Sequence, residues 1–587
     1  MPSSLTADQL KAMEKHALLN AVQHAGKADV GAVMSKTLGE SPSLRSSAKE
    51  VGKAAAEVVK RVNSLSPQEQ QRLLEKRYPE ALEANAQKKI ERKKVEDARE
   101  EQLPPLRGAV EGKVVLRLPP EPSGYMHIGH AMAGVINDSY KRFYKGELWL
   151  RFEDTNPKKV KKPYYQSFKD GYSWLGISWD HEKSVSSDME TIYGHARRLI
   201  EQGFAYGCAC PADRVKKLRF EGVPCEHRDQ PVEKNLEIWE GMLARKYKEG
   251  EYVIRLKGDM SSLDHSLRDP NLMRVIDFPH PLVGTKYVVW PIYDLENVVE
   301  DQICGVTHVL RSSEFHLALQ EKLRELLGFP QVFVEQFSRF NFKGTPVQKR
   351  LLRPLVEDKV VTGWDDPRMP TIEGVKRRGI LPEAIRQFTM LVGYSKTEHT
   401  FDWSLLFAVN RKLLDPISRR LFFVPDPVRV KVRGAPARTV SIPFHPTQEK
   451  FGKRKISVAA DPNVLIPSTD LSSMNEGDLF RMMDLYNVRL VSKGERAVEA
   501  EFAGDELRYD LKKVQWVPDD AQKVAVEVLE PSELYNEDGS LNPKSLVVRK
   551  GFAEASFAAL QVGDIVQFPR YGFVRVDSQG VCILTHP

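Results

Sequence analysis

Apolar residues recur three and four positions apart in the first hundred residues, as at Ala54, Val58, Val59 and Val62, which predicts helices with one buried face. Ser66-Pro67-Gln68-Glu69 reads as a helix start, with an N-cap and proline at the first helical position. Gln87–Glu101 is highly charged and reads as a solvated helix or linker, which Pro104-Pro105 ends. The texture changes at Lys113. Val114–Leu118 is an apolar strand candidate, Pro119–Gly124 a Pro/Gly loop, and a helical stretch opens at His127. A second strand follows at Glu147–Phe152. Strand, loop and helix open a doubly wound α/β unit, and this mixed pattern runs to about residue 345. Residues 346–424 return to a helical pattern. Beyond Asp426 short strands dominate: Val428–Val432, Thr439–Ile442, Lys455–Ala459, Ala497–Phe502, Val524–Leu529 and Ile565–Phe568. Turn residues separate them, which predicts β-barrel modules.

These shifts divide the chain into a helical segment 1–105, an α/β domain in two halves (106–194 and 289–345) around an insertion at 195–288, a helical segment 346–424, and strand-rich modules over 425–587. The length of 587 residues fits such a multidomain chain. Hydrophobic content of 41% excludes a disordered protein. Five cysteines exclude a disulfide scaffold and suit a reducing cytosol. The N-terminus carries no apolar core of a secretory signal, and no apolar run reaches membrane-spanning length, so a cytoplasmic protein is expected. Lys and Arg exceed Asp and Glu by 87 to 80, which permits a local basic face on a balanced surface.

The sharpest motif is Pro122-Ser123-Gly124-Tyr125-Met126-His127-Ile128-Gly129-His130, directly after a strand. His127 and His130 share one helical face. At a helix N-terminus, where free N–H groups attract phosphate, two imidazoles can donate to a triphosphate. Gly124 and Gly129 admit close approach of a nucleotide. A second cluster, Cys208, Cys210, Cys225 and His227, offers three thiolates and an imidazole, a set suited to tetrahedral structural zinc. Its other reading is buried cysteines with no metal. Cys304 and Cys582 read as isolated core residues.

With these motifs the chain resembles the class I aminoacyl-tRNA synthetases, in their glutamyl/glutaminyl subgroup. Leu118–His130 is similar to the nucleotide-binding signature, and the likeness continues through Leu150–Pro157, Gly305–Arg311, Gly363–Arg368 and Arg377–Ile380. The helical front and strand-rich end resemble the archaeal/eukaryotic architecture of the glutamyl members. The resemblance implies a Rossmann-like catalytic domain, ATP and Mg²⁺ as co-substrates, L-glutamate, and transfer to tRNA(Glu) or also tRNA(Gln); separately, a monomer is expected. It makes 195–288 an acceptor-stem-binding insertion and 425–587 the anticodon-binding modules. It assigns His127, His130 and Lys349 to catalysis. ATP would meet Pro120, Glu121, Pro122, Ser123, Gly124, Gly129, Ser312, Arg339, Phe340, Gln348, Lys349 and Arg350. Gln348 stands where the family usually has Ser, a departure that bears on rate. Arg117, Glu153, Tyr293, Asn297 and Arg311 match amino-acid-binding positions. Two arginines facing the ligand favour an acidic side chain over an amide.

For tRNA, Trp364, Asp365 and Arg368 match a stem-contact segment, although a turn with Asp capping the next helix explains it equally. Arg429, Lys431, Arg433, Lys453, Arg454 and Lys455 form a basic strip opposed only by Asp426 and Glu449. Alone it reads as a guarded strand edge; within a tRNA-binding architecture it predicts phosphate contact. Two rivals stand beside the glutamyl reading. Glutaminyl-tRNA synthetase shares most motifs, and a non-catalytic tRNA-binding paralogue draws only on Gln348.

Overall fold

The computed structural model describes residues 5–23, 26–40, 48–78, 103–312, 316–337, 339–393, 399–494, 498–508 and 510–587. The solvated helix expected at Gln87–Glu101 lies outside them. The N-terminal helices are Ala7–Gln23, Val30–Glu40, Ala48–Asn63 and Pro67–Arg77. Val51, Ala55, Val58, Val59 and Val62 turn one stripe of the third helix onto Met13, Ala17 and Leu18. Ser66 and Glu69 form a reciprocal capping box with Pro67 inside the first turn, the start its sequence predicts.

The first sheet is parallel. Val115–Leu118 pairs with Glu147–Phe152, which pairs with His181–Ser184. The helix Ile128–Tyr144 crosses between the first two strands, and Lys162–Trp174 between the second and third. On the other side His308–Arg311 pairs in parallel with Phe333–Gln336. Thr307 fastens this pair to the first strand: its N–H donates to the Val115 carbonyl at 3.1 Å, and its Oγ1 accepts from the Val115 N–H at 2.9 Å. Strand order therefore reverses between Val115–Leu118 and His308–Arg311. Such a switch point opens a crevice at the carboxyl ends of the strands, where ligands of doubly wound sheets bind. Leu116, Leu118, Leu148, Leu150 and Phe152 anchor the sheet in a core shared with Phe342, Ile385, Phe388 and Leu406 of the later helical segment.

Between the two halves lies an antiparallel sheet of Ala205–Cys208, Val253–Leu256, Asn271–Val275 and Val289–Pro291. Trp239, Trp290, Ile192 and Leu199 fill its core. After it come helices Tyr293–Ile303, Leu317–Leu327, Lys349–Glu357, Ile372–Arg378, Pro382–Val392 and Trp403–Leu414. The strands beyond residue 418 build two seven-stranded mixed sheets and a hairpin, Arg438–Pro443 with Lys453–Val458. Each large sheet curls around its own apolar core but stays open, with distinct edge strands among the described residues. They are half-barrels where the sequence predicts barrels.

The second half-barrel is tied to the helical segment by specific bonds. Arg377 Nη2 meets Asp577 at 2.7 Å, and Arg378 donates to the Thr585 and Pro531 carbonyls. A loop between Val524–Pro531 and Leu546–Ala553 reaches residues just ahead of Lys349: the Tyr535 N–H donates to the Gly344 carbonyl at 3.0 Å, and Lys343 pairs with Glu537 at 2.6 Å. Among the described residues no helix is long and apolar enough to cross a membrane.

Candidate active site

The crevice at the switch point is lined from four elements. Arg117 lies in the first strand, Glu153 directly follows the second, Arg311 ends the fourth, and the helix Tyr293–Ile303 lies across them. That helix carries Tyr293, Asn297 and Asp301 at intervals of four, so all three lie on one face. Asp301 is fully buried and holds three guanidinium groups: Arg151 Nη1 at 2.7 Å, Arg324 Nη2 at 2.7 Å and Arg117 Nε at 3.4 Å. Burial alone would raise its carboxyl, but the three arginines hold it below the ordinary value.

Arg151 also donates through Nη2 to Glu153 Oε1 at 3.0 Å, where Asn297 Nδ2 donates at 2.9 Å. Burial raises the Glu153 carboxyl, and Arg151 and Arg117 oppose that rise. Tyr293 is pushed up to about 12 by burial and by Glu153. Arg311 donates through Nη1 to Gln320 Oε1 at 3.0 Å, and Ser312 follows it, half-buried. The five amino-acid positions expected from the sequence thus converge on one crevice. Arg151, Asp301 and Arg324, which fix two of them, were not singled out by their sequence. The signal was present: Asp301 continues the four-residue spacing of Tyr293 and Asn297, and Arg151 lies two positions before Glu153.

The loop Pro119–Gly124 sits beside this crevice, where the Glu153 N–H donates to the Pro120 carbonyl at 3.0 Å. His127 caps the helix Ile128–Tyr144: its Nδ1 accepts from the Gly129 N–H at 3.2 Å, while His130 Nδ1 accepts from the His127 N–H at 3.3 Å. The two rings lie 3.7 Å apart between centroids. Burial lowers His127 to about 3 and His130 well below the ordinary histidine value, helped by Lys349, so both are neutral imidazoles. With Nδ1 of each accepting, each Nε2 carries the proton and is a donor. Pro120, Pro122, Ser123 and Gly124 are buried beneath the loop, and Glu121 is exposed.

Lys349 reaches over this loop from the start of the helix Lys349–Glu357. Its Nζ donates to Ser123 Oγ and lies 3.6 Å from Glu121 Oε2. Burial lowers its ammonium and Glu121 opposes this. A Cβ on Gly124 would come within 3.0–3.1 Å of the Lys349 side chain, so glycine leaves the lysine its path. Gln348 is the N-cap of that helix and makes no capping bond with its side chain; it and Arg350 are exposed. Arg339 is exposed, while Phe340 is buried, stacked 6.0 Å from Phe337. The Phe340 ring belongs to the core.

The cysteine cluster closes at the end of Ala205–Cys208. The ligand atoms of Cys208, Cys210, Cys225 and His227 all lie within 4.8 Å of one another. Cys208 Sγ and Cys225 Sγ are 3.8 Å apart, and Cys210 Sγ and His227 Nδ1 3.4 Å. Zinc–sulfur bonds of about 2.3 Å in a tetrahedron place sulfurs about 3.8 Å apart, so the donor set fits that ion. The buried Arg255 lies 3.7 and 3.6 Å from Cys208 and Cys225 Sγ, a positive charge beside a site whose three thiolates outweigh the ion.

Two of the expected tRNA contacts are corrected. Arg454 is 4% exposed, paired with Glu554, bonded to the Pro443 carbonyl at 2.7 Å and laid over Phe422. Alternation along Lys453–Val458 turns it inward, so that of its three basic residues Lys453 and Lys455 face out. Arg368 is wrapped around Asp366 and reaches Ser545 Oγ at 3.1 Å, so it anchors a turn and the half-barrel. Thr371, not an aspartate, caps the helix that follows. Trp364 lies against Tyr125 of the nucleotide loop, and Asp365 is exposed and pairs with Arg377. Arg429 and Arg433 are exposed and paired with Asp519 and Glu499; Lys431 donates to the Asp461 carbonyl.

A parallel sheet with its switch-point crevice, a His-x-x-His cap and a lysine over the same loop is the layout on which comparison with known proteins bears. Residues 113–416 match the family described as tRNA synthetases class I (E and Q), catalytic domain; residues 418–506 and 513–577 match two anti-codon binding domains of the same group. The chain belongs to the class I tRNA synthetases of the E and Q group. Among its relatives, the glutamate–tRNA ligase of Nitrosopumilus maritimus is 40% identical over 578 residues, 98% of both chains. That of Pyrococcus abyssi is 40% identical over 573 residues, 96% of both, and that of Cenarchaeum symbiosum 40% over 575 residues, 97% of this chain and 98% of its own.

Proposed function

We propose that the chain is a glutamate–tRNA ligase. The observation that carries the reading is the convergence of Arg117 and Arg311 on one crevice with Glu153, Tyr293 and Asn297. Two fixed guanidinium groups there suit a ligand with two carboxylates. Glutamine would leave one partly unpaired in a buried site, which penalises it strongly. The full-length relatives named as glutamate–tRNA ligases support the same choice over glutamine.

In this reading Glu153 holds the α-ammonium group, and Arg151 and Asn297 steady that carboxylate by binding Oε1. The glutamate α-carboxylate attacks the α-phosphorus of ATP in line, and pyrophosphate leaves. His127 and His130 donate to the phosphates from Nε2, and Lys349 neutralises charge as it develops. Mg²⁺, when bound, offsets charge on the leaving pyrophosphate. The terminal ribose hydroxyl of tRNA then takes the acyl group, releasing AMP. No side chain serves as covalent nucleophile; positioning and charge stabilisation carry the chemistry. Lys453, Lys455, Arg429 and Lys431 meet tRNA phosphates, one structural zinc holds the inserted domain, and the protein works in the cytoplasm as a monomer.

The test is aminoacylation with labelled glutamate or glutamine on tRNA(Glu) and tRNA(Gln) transcripts. Glutamate on tRNA(Glu) alone marks a discriminating enzyme, and glutamate on both transcripts a relaxed one. Glutamine attachment overturns the reading of Arg311. Absence of charging favours a tRNA-binding paralogue and makes Gln348 decisive.

A further inference from the structure

We propose that Gln320 and Asp294 determine the selectivity of the crevice for an anionic side chain by fixing the orientation of Arg311. This rests on the reading of Arg311 as the partner of the substrate's side-chain carboxylate. Gln320 lies on Leu317–Leu327 and Asp294 on Tyr293–Ile303; both are buried, at 5% and 3% exposure. Gln320 Nε2 donates to Asp294 Oδ1 at 3.1 Å, while its Oε1 accepts from Arg311 Nη1 at 3.0 Å. His316 Nδ1 holds the other carboxylate oxygen, Oδ2, at 2.8 Å.

The direction of the chain matters. With Asp294 Oδ1 accepting from its Nε2, the amide of Gln320 turns its NH2 inward and its oxygen toward Arg311. The guanidinium is thereby pinned at one corner by a neutral acceptor. That bond orients the fork through a neutral acceptor, which brings no negative charge of its own to the guanidinium; Arg311 also bonds Tyr293. A carboxylate in the place of Gln320 would set a negative charge directly against Arg311 and weaken the preference for an anion. Asp301 does the opposite for Arg117, Arg151 and Arg324, pairing them with a formal negative charge. Gln320 and Asp294 do not touch substrate in this scheme; they are positioning residues.

Two variants separate this role from ordinary packing. Gln320→Met keeps length and volume but removes both hydrogen bonds. Asp294→Asn is nearly isosteric and removes the obligatory acceptor, which lets the amide turn its NH2 toward Arg311. Steady-state aminoacylation of tRNA(Glu) would be measured for glutamate, glutamine and ATP, with thermal melting alongside. Each variant is expected to raise KM for glutamate roughly tenfold, the scale of one misdirected charge-assisted bond, with kcat and KM for ATP within about twofold. The ratio of kcat/KM for glutamate over glutamine should narrow by a similar factor. The double variant should be no worse than Gln320→Met alone, because both act through one guanidinium.

Arg311→Lys is the control. If it leaves that ratio intact, the reading of Arg311 fails and the proposal falls with it. If Arg311→Lys collapses the ratio while Gln320→Met and Asp294→Asn keep wild-type KM and selectivity, the proposal alone is overturned. A lowered melting point with an unchanged glutamate KM in Asp294→Asn would assign these residues to packing and also overturn it.

Discussion

Replacing Asp301 by asparagine should damage folding and substrate binding together. The carboxylate is fully buried and accepts from Arg151 and Arg324 at 2.7 Å, with Arg117 at 3.4 Å. Asparagine keeps the shape and one acceptor oxygen but removes the charge that three buried guanidinium groups share. Removing one side of a buried ion pair costs about 3–5 kcal/mol. In a domain of this size, 1 kcal/mol moves the melting point by roughly 2–4 °C, so the catalytic domain should melt roughly 6–20 °C lower. KM for glutamate should rise as well, because Arg117 loses the group that aims it and Arg151 no longer steadies Glu153. The assay is thermal unfolding followed by tryptophan fluorescence, paired with glutamate and ATP KM values. The pH course adds a sign. The folded carboxyl lies below its unfolded value near 4, so its contribution is complete above that value and is lost as pH falls through the folded value. The gap between wild type and variant should therefore be constant from pH 5 to 8. A variant with wild-type melting and wild-type KM would refute the argument that Asp301 organises this crevice.

Three further outcomes follow from the geometry. His127 is held at about 3 and His130 well below 6.5, so the unfolded chain binds more protons between those values; stability should be complete above about pH 6.5 and fall toward pH 3, less steeply in a His127→Asn/His130→Asn variant, as read from melting against pH. The protein should carry one zinc, measured by metal analysis; Cys225→Ser or a strong chelator should abolish it and expose Trp239 fluorescence to quencher, because the ion closes the inserted domain. Lys453→Ala and Lys455→Ala should each reduce the slope of log affinity for tRNA against log salt by about 1 without changing melting, whereas Arg454→Ala should cost about 3–5 kcal/mol of half-barrel stability.

How far the sequence reaches is visible in these residues. Short-range signals carried well: the strand at Glu147–Phe152, the capping box at Ser66 and the Cys/His spacing each specify local geometry that tertiary contacts do not override. The resemblance supplied candidate side chains that touch substrate, and the fold brings the amino-acid set together. The residues that aim them were harder to see. Asp301, Arg324 and Gln320 acquire partners only when two helices pack across the switch point, 9 to 184 residues apart in the chain. A basic strip read as composition also hides direction. Arg454 sits between two outward lysines, and strand period turns it onto Phe422 and Glu554. The half-barrels illustrate the same limit, since strand-length segments do not reveal whether a sheet closes on itself.

The loop that joins the second half-barrel to the residues before Lys349 bears on how such enzymes can be recombined. Gly344 has φ +61, and a Cβ there would fall 2.6 Å from Glu533 Cβ; the Tyr535–Gly344 bond and the Lys343–Glu537 pair lie at the same seam. A transplant of residues 418–587 from a relative would thus carry half of a seam whose other half stays behind. The transferable cassette includes Asn341–Gln348, so a working graft has three breakpoints in the recipient rather than one at residue 418.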